Sequence, residues 1–432
     1  MTVRESIDQS PISRQQIIVI GVCFFLNMID GMDILAISFA APVIAADWNI
    51  TPQTLGLVFS AALVGMCLGA IFISPLADKI GRRKITLLSL VIISTGILAT
   101  AFAQTITQLM LFRFIAGLGI GAILATLTST VSEFSPNRNR NLSILFLHAG
   151  FPIGAMLTGI LASMLLPDYG WRMLFSLAGT ISLLAIPVVY FYLPESFDFL
   201  LSKQPVNALA RVNLTLERMG HTALTSLPTL GSDNSKTGGI KALLTPLYRR
   251  ATITIWTAFV MSYITIYFLL SWVVKLAVSS GLAIEDAIFA GITLNLGAFF
   301  GSVTLGYLSN GLGLARLISV FFILGAILTV IYGNIPLPVA GVLILLFVLM
   351  YFVQGAFTGL YAVVARLYPT EIRTTGVGWA IGVGRIGAII GPTAAGLILG
   401  AGISINTTFV IFAIPVLIAA ILVTKIDRKL LE

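Results

Sequence analysis

Two acids three residues apart stand in the middle of an apolar run long enough to cross a bilayer. Residues 17–46 read IIVIGVCFFLNMIDGMDILAISFAAPVIAA, with Asp30 and Asp33 near the centre. A hydrocarbon span takes about 20 such residues. A central carboxylate costs roughly 2.5–3.5 kcal/mol on insertion scales, so an ionisable pair at that depth marks a site. Positions i and i+3 share a helix face, so both acids look into the same space. Two carboxylates that close do not both ionise easily, and the pair titrates as one unit holding about one proton. That is the chemistry of a proton carrier. The competing reading makes the acids a helix end or the cap of a break at Gly31, a residue that permits either a bend or close packing.

Two arginines also sit where charge is costly. Arg385 has apolar or small sequence on both sides, with glycines at 376, 378, 382, 384, 387 and 391. Its planar fork suits a carboxylate held at two points, so a substrate carboxylate is the preferred partner and a structural ion pair the alternative. Arg113, after LMLF, wants a carboxylate or a watery cavity; the alternative is snorkelling to an interface. His148 is either a proton site or hydroxyl ligand, or a packing histidine. Rings are needed if the ligand is aromatic. Trp256, Tyr263, Tyr267 and Trp272 lie on one run, and Tyr351, Gln354, Thr358 and Tyr361 form roughly one stripe on another. Trp379 and Asn295 complete the substrate-binding candidates, although aromatic residues are ordinary in membrane cores. There is no phosphate-binding GxxxxGK[ST], metal-spaced Cys or His cluster, or nucleophile elbow. The chain therefore reads as no enzyme, with no metal and no cofactor, driven by a gradient with protons as the coupling ion.

The elements that must position these residues are membrane spans. The 432 residues are 58% hydrophobic and 10% charged, against roughly 25% charged in a soluble domain, and mean hydropathy is +1.02. About twelve apolar runs reach spanning length, near 17–40, 54–76, 85–104, 107–131, 142–166, 173–193, 251–274, 287–309, 316–333, 339–365, 374–400 and 405–425. Of the 25 Lys and Arg, 21 fall on the tails and alternate loops that share one side if both termini are cytoplasmic, as the positive-inside rule requires. Net charge +8 then reflects topology and an anionic bilayer leaflet, with no nucleic acid partner implied. Cys23 and Cys67 read as buried small side chains, and the first run reads as an anchor and first helix, with no cleavable signal.

Polar residues 194–250 separate two groups of six runs. The expected organisation is an N-terminal bundle over 1–193, a cytoplasmic linker over 194–250 and a C-terminal bundle over 251–432. The halves repeat. GAIFISPLADKIGRRK (69–84) overlays GSVTLGYLSNGLGLAR (301–316) at an offset of 232, and SPNRNR (135–140) overlays YPTEIR (368–373) one residue further on. Two like-oriented halves suit a rocking transporter that holds substrate near the bilayer midplane.

SPLADKIGRRK (74–84) and RFIAGLGIGA (113–122) resemble the helix 2–3 loop and helix 4 motifs of the major facilitator superfamily. Within it, DGMD (30–33) and GVGRIGAIIGP (382–392) resemble the aromatic acid/proton symporters, bacterial importers of benzoates and hydroxybenzoates. The resemblance implies an all-α membrane protein of twelve transmembrane helices in two halves, a monomer in the inner membrane, importing a small organic acid with protons. It implies that Asp78, beside Gly81 and Arg82, makes contacts holding an outward-open state, and that Arg113 lies within reach of Asp30 or Asp33. It also marks Glu133, Arg140, Arg366 and Arg373, with Glu371, as gate charges, for which interfacial anchoring is the equal alternative. Ser74 departs from the usual glycine, and Asn310 replaces the acid in the second copy, where Gly306 keeps the glycine. A proton-driven exporter of drugs or metabolites is one alternative function, on a weak match of GFPIGAMLTG (150–159) to a helix 5 glycine-proline motif, and an importer of non-aromatic organic acids is another. A sensor that binds an acid without transporting it is the alternative from another class.

Overall fold

Runs with no polar face and few breakers satisfy their backbone hydrogen bonds internally, and in a bilayer that means helix. The computed structural model describes residues 3–227, 240–368 and 370–426, without the side chains of residues 141, 306, 307, 309–312, 365, 370, 371, 373 and 374. No strand occurs among them. The spans are α1 Arg14–Asp47, α2 Pro52–Leu68, α3 Arg82–Ala101 and α4 Ile106–Phe134. Helix Arg140–Tyr192 is interrupted at Gly170, whose φ of 70° and ψ of 178° are non-helical, giving α5 (140–169) and α6 (171–192). There follow α7 Arg249–Ser279, α8 Ile284–Leu312, α9 Leu314–Asn334, α10 Val339–Leu367, α11 Thr370–Gly400 and α12 Ile405–Thr424. Among the described residues, eleven helices are long and apolar enough to cross a membrane, counting residues 142–192 as one. The break at Gly170 restores the expected twelve. Asn310 and Gly306 of the second loop motif lie outside the described side chains.

Glycines set how closely the spans approach. A Cβ at Gly31 would overlap the carbonyl oxygen of Phe151, and Cβ atoms at Gly150 and Gly154 would press on the carbonyls of Phe24 and Met28, so α1 and α5 touch backbone to backbone. Gly31 therefore serves close packing, and the helix runs through it unbroken. Gly65 of α2 and Gly69, in the π-helical turn Gly69–Ile73 that continues it, meet the carbonyls of Phe114 and Leu118 of α4. Their counterparts 232 residues on, Gly297 and Gly301, meet the carbonyls of Phe347 and Tyr351, joining α8 to α10. Gly387 and Gly391 seat α11 on Val260 and Ile264 of α7 in the same manner. The sequence repeat is thus a repeat of packing, through the small residues that let membrane helices approach. Gly31→Ala should cost about 1–3 kcal/mol by overpacking, read as a lower unfolding midpoint of the purified protein; an unchanged midpoint would refute the backbone contact.

By contacts the chain forms two compact units. The first comprises 1–34, 64–154 and 172–234. The second comprises 35–63, 155–171 and 235–432, so it gathers stretches of α1, α2 and α5 with α7–α12. Within it Ser38 donates to the Leu270 carbonyl at 2.7 Å, and Ser60 donates to the Ile389 carbonyl at 2.9 Å and bonds the Thr393 hydroxyl at 2.7 Å.

Candidate functional site

In the first unit α1 and α4 bring an acid and a base together across 80 residues of chain. Arg113 donates from Nη1 to Oδ1 of Asp33, and from Nη2 to Oδ2 at 3.0 Å and to the Asp33 carbonyl at 3.1 Å. Both side chains are 0% exposed. The Phe175 ring lies 5.7 Å from the guanidinium carbon. A bidentate pair removed from water is held by unscreened charge, and the snorkelling alternative for Arg113 is excluded by its burial. Asp30, one helical turn before Asp33, is also buried, at 4% exposed. His148 on α5 is exposed although it sits within a span.

In the second unit the rings converge. Tyr263 of α7 and Tyr361 of α10 share a hydrogen bond between hydroxyls at 3.2 Å, and Arg385 of α11 is near enough to act electrostatically on Tyr361. Phe259, Tyr267 and Phe357 close the cluster, with Tyr263 4.7 Å from Phe357 and 5.6 Å from Tyr267 between centroids. Trp379 is 43% exposed and stacks on Trp256 at 5.9 Å. The indole N–H of Trp256 is buried with no acceptor among the described residues. Aromatic faces, phenolic hydroxyls and a guanidinium in one place suit a ring carrying a carboxylate.

The expected α10 stripe divides. Tyr351 stacks toward Phe321 of α9 at 5.8 Å, Thr358 bonds Ser302 of α8 at 2.9 Å, and Tyr361 alone reaches the α7 rings. Spacings of three and four residues drift around a helix of 3.6 residues per turn, so ten residues separate Tyr351 and Tyr361 by most of a quarter turn. Gln354 is half-buried between them. Asn295 is 1% exposed and donates to the Gly291 carbonyl of its own helix at 2.9 Å, so its amide already has a partner.

At the basic ends of α2–α6 a network forms in the first unit. Arg82 pairs with Glu133 and lies 3.5 Å from Asp198. Glu133 accepts from the Ser196 hydroxyl at 2.8 Å and the Asp198 amide at 2.7 Å. Gly81 has φ 109°, the left-handed region that favours glycine, and a Cβ there would overlap the Glu195 carboxylate. Glu195, 4% exposed, accepts from the Arg83 amide at 2.9 Å. Asp78 and Arg366 are exposed, and the side chains of Arg373 and Glu371 lie outside those described. Sequence reasoning missed Glu195, Ser196 and Asp198, as well as Arg4, which donates to the carbonyls of Glu133 and Ser135 at 3.1 Å. The available signal was PESFD, a polar cluster directly after an apolar span.

Comparison with known proteins places this architecture. The family described as Major Facilitator Superfamily matches residues 23–356 and 255–430. A gallate transporter of Pseudomonas putida is 31% identical, covering 97% of this chain and 93% of the relative. The 4-hydroxybenzoate transporter PcaK of Acinetobacter baylyi is 32% identical, covering 96% and 92%. Among solved structures, a bacterial homolog of the human lysosomal transporter Spinster, inward-facing and unoccupied, superposes with a TM-score of 0.74 at 17% identity over 97% of this chain and 98% of that one. The proton:xylose symporter XylE superposes with a TM-score of 0.72 at 16% identity over 95% and 96%.

Proposed function

Since the chain belongs to the Major Facilitator Superfamily, a family of multi-pass membrane transporters and not of enzymes, we propose that it imports small aromatic carboxylates with protons across a bacterial inner membrane. Both termini would face the cytoplasm, and two six-span halves, 1–193 and 251–432 about a 194–250 linker, would give alternating access. The observation that carries this reading is the ring cluster around the Tyr263–Tyr361 hydroxyl pair, with Arg385 close enough to act electrostatically on Tyr361. A carboxylate would take the guanidinium, and the substrate ring the aromatic walls. The relatives named for gallate and 4-hydroxybenzoate support the same ligand chemistry.

Coupling would run through the Asp33–Arg113 pair and Asp30. While Asp33 is ionised the pair is neutral overall, and a proton on Asp33 would free the guanidinium to seek another partner. Arg82, Glu133, Arg140, Asp78, Gly81, Arg366 and Arg373 would act at the cytoplasmic gate, and His148, Asn295, Tyr267, Tyr351, Gln354 and Trp379 are proposed as further substrate contacts. The working form is proposed to be a monomer needing no cofactor.

The test is uptake by the reconstituted protein. In liposomes with an acid-outside gradient, radiolabelled 4-hydroxybenzoate should accumulate and a protonophore should collapse the accumulation. Gradient-driven movement outward, or of a non-aromatic solute only, would overturn the proposed substrate class and direction.

A further inference from the structure

A cavity of about 270 Å³ opens among the basic ends of the first unit, walled by Arg4, Arg82, Arg140, Ser129, Ser132 and two carboxylates. At roughly 30 Å³ per water this is room for a phosphate group together with several waters or the rest of a headgroup.

Most of its charges are already committed. Glu133 accepts from Arg82, Ser196 and the Asp198 amide. Asp198 is 72% exposed and leans on Arg82. Arg4 spends both terminal nitrogens on Asp8, Asn137 and the carbonyls of Ser132, Glu133 and Ser135.

Arg140 is the exception. It makes no hydrogen bond or ion pair to a described residue, its Nε is buried without an acceptor, and a near charge is the like-signed Arg4, with Asp8 the opposing one. A guanidinium brings N–H donors on every edge, and the Ser129 and Ser132 hydroxyls add two more with no partner among the described residues. The cavity's uncommitted charge is therefore positive and its uncommitted groups are donors. One edge of the planar guanidinium presents two N–H donors to an anion, and with the two hydroxyls four donors are at hand, a set that the three or four oxygens of a tetrahedral oxyanion take up across the cavity.

We propose that this cavity is a binding site for a phosphate group, held by Arg140 with Ser129 and Ser132, and supplied by a phospholipid headgroup or by free phosphate. The site is separate from the ring cluster and does not depend on which acid is transported.

The test uses the full chain in detergent micelles, with inorganic phosphate titrated against chloride at equal ionic strength. Phosphate should raise the unfolding midpoint saturably by about 2–4 °C, as a ligand of the folded state does. Arg140→Gln should abolish the shift, and Arg138→Gln, an exposed neighbour outside the cavity, should keep it. If Arg140→Gln fails to fold, Ser132→Ala should weaken it. In a second arm, native mass spectrometry compares nanodiscs of phosphatidylcholine with and without phosphatidylglycerol, counting retained lipid. A micelle shift assigns free phosphate, and Arg140-dependent retention of lipid assigns the headgroup. Phosphate acting no more than chloride with no Arg140-dependent retention, or an Arg140→Gln protein that keeps the shift, would overturn the site.

Discussion

Arg113→Ala should be among the most damaging single substitutions in this protein. The Asp33–Arg113 pair is fully buried and bidentate, and removing one partner of such a pair leaves an uncompensated charge in a low dielectric, at a cost of about 3–5 kcal/mol. Alternatively Asp33 takes up a proton, and the pair then no longer distinguishes two protonation states. Either route ends proton-driven accumulation. The double variant Asp33→Asn with Arg113→Gln separates the two effects. Neutral amides of similar shape should recover much of the unfolding midpoint, because no charge is stranded, while accumulation in liposomes stays lost. A single Arg113→Ala protein with wild-type midpoint and full protonophore-sensitive uptake would refute both roles.

Arg385→Gln should abolish carboxylate binding while leaving the fold intact. Truncating one side of a desolvated charge pair costs about 2–5 kcal/mol, which at about 1.4 kcal/mol per tenfold is a loss of roughly 30-fold or more in affinity. Arg385→Lys keeps the charge without the planar fork, so it should fall between wild type and Gln. Benzamide, a ring without the anion, should compete equally with all three proteins. The measurement is the binding isotherm of 4-hydroxybenzoate on purified protein, with the unfolding midpoint as the check on folding. Equal affinity for the acid in the wild-type and Gln proteins would remove Arg385 from the site.

The two substitutions differ in how far the sequence anticipated them. An Arg in an apolar run is a local anomaly, visible against its neighbours, and so are Asp30 and Asp33. Their partners are not local. Glycines at 31, 150 and 154 bring α1 to backbone contact with α5, and those at 65 and 69 bring the second span to α4; the approach of α1 to α4 that seats Arg113 on Asp33 appears nowhere in the order of residues. The α10 stripe shows the opposite failure. A pattern of threes and fours looked like one face, but the neighbouring helices α7, α8 and α9 each claim a different part of it.

Hydropathy, the spans and the alternation of basic loops follow from the chain read alone, because each depends on composition within a window about one span long, and the twofold repeat follows from comparing such windows 232 residues apart. Which acid holds which base, which tyrosines meet, and that Glu195 reaches back to Gly81 were decided by tertiary packing. Those contacts join residues about 80 to 115 positions apart, and their free energy depends on burial that only the assembled helices create.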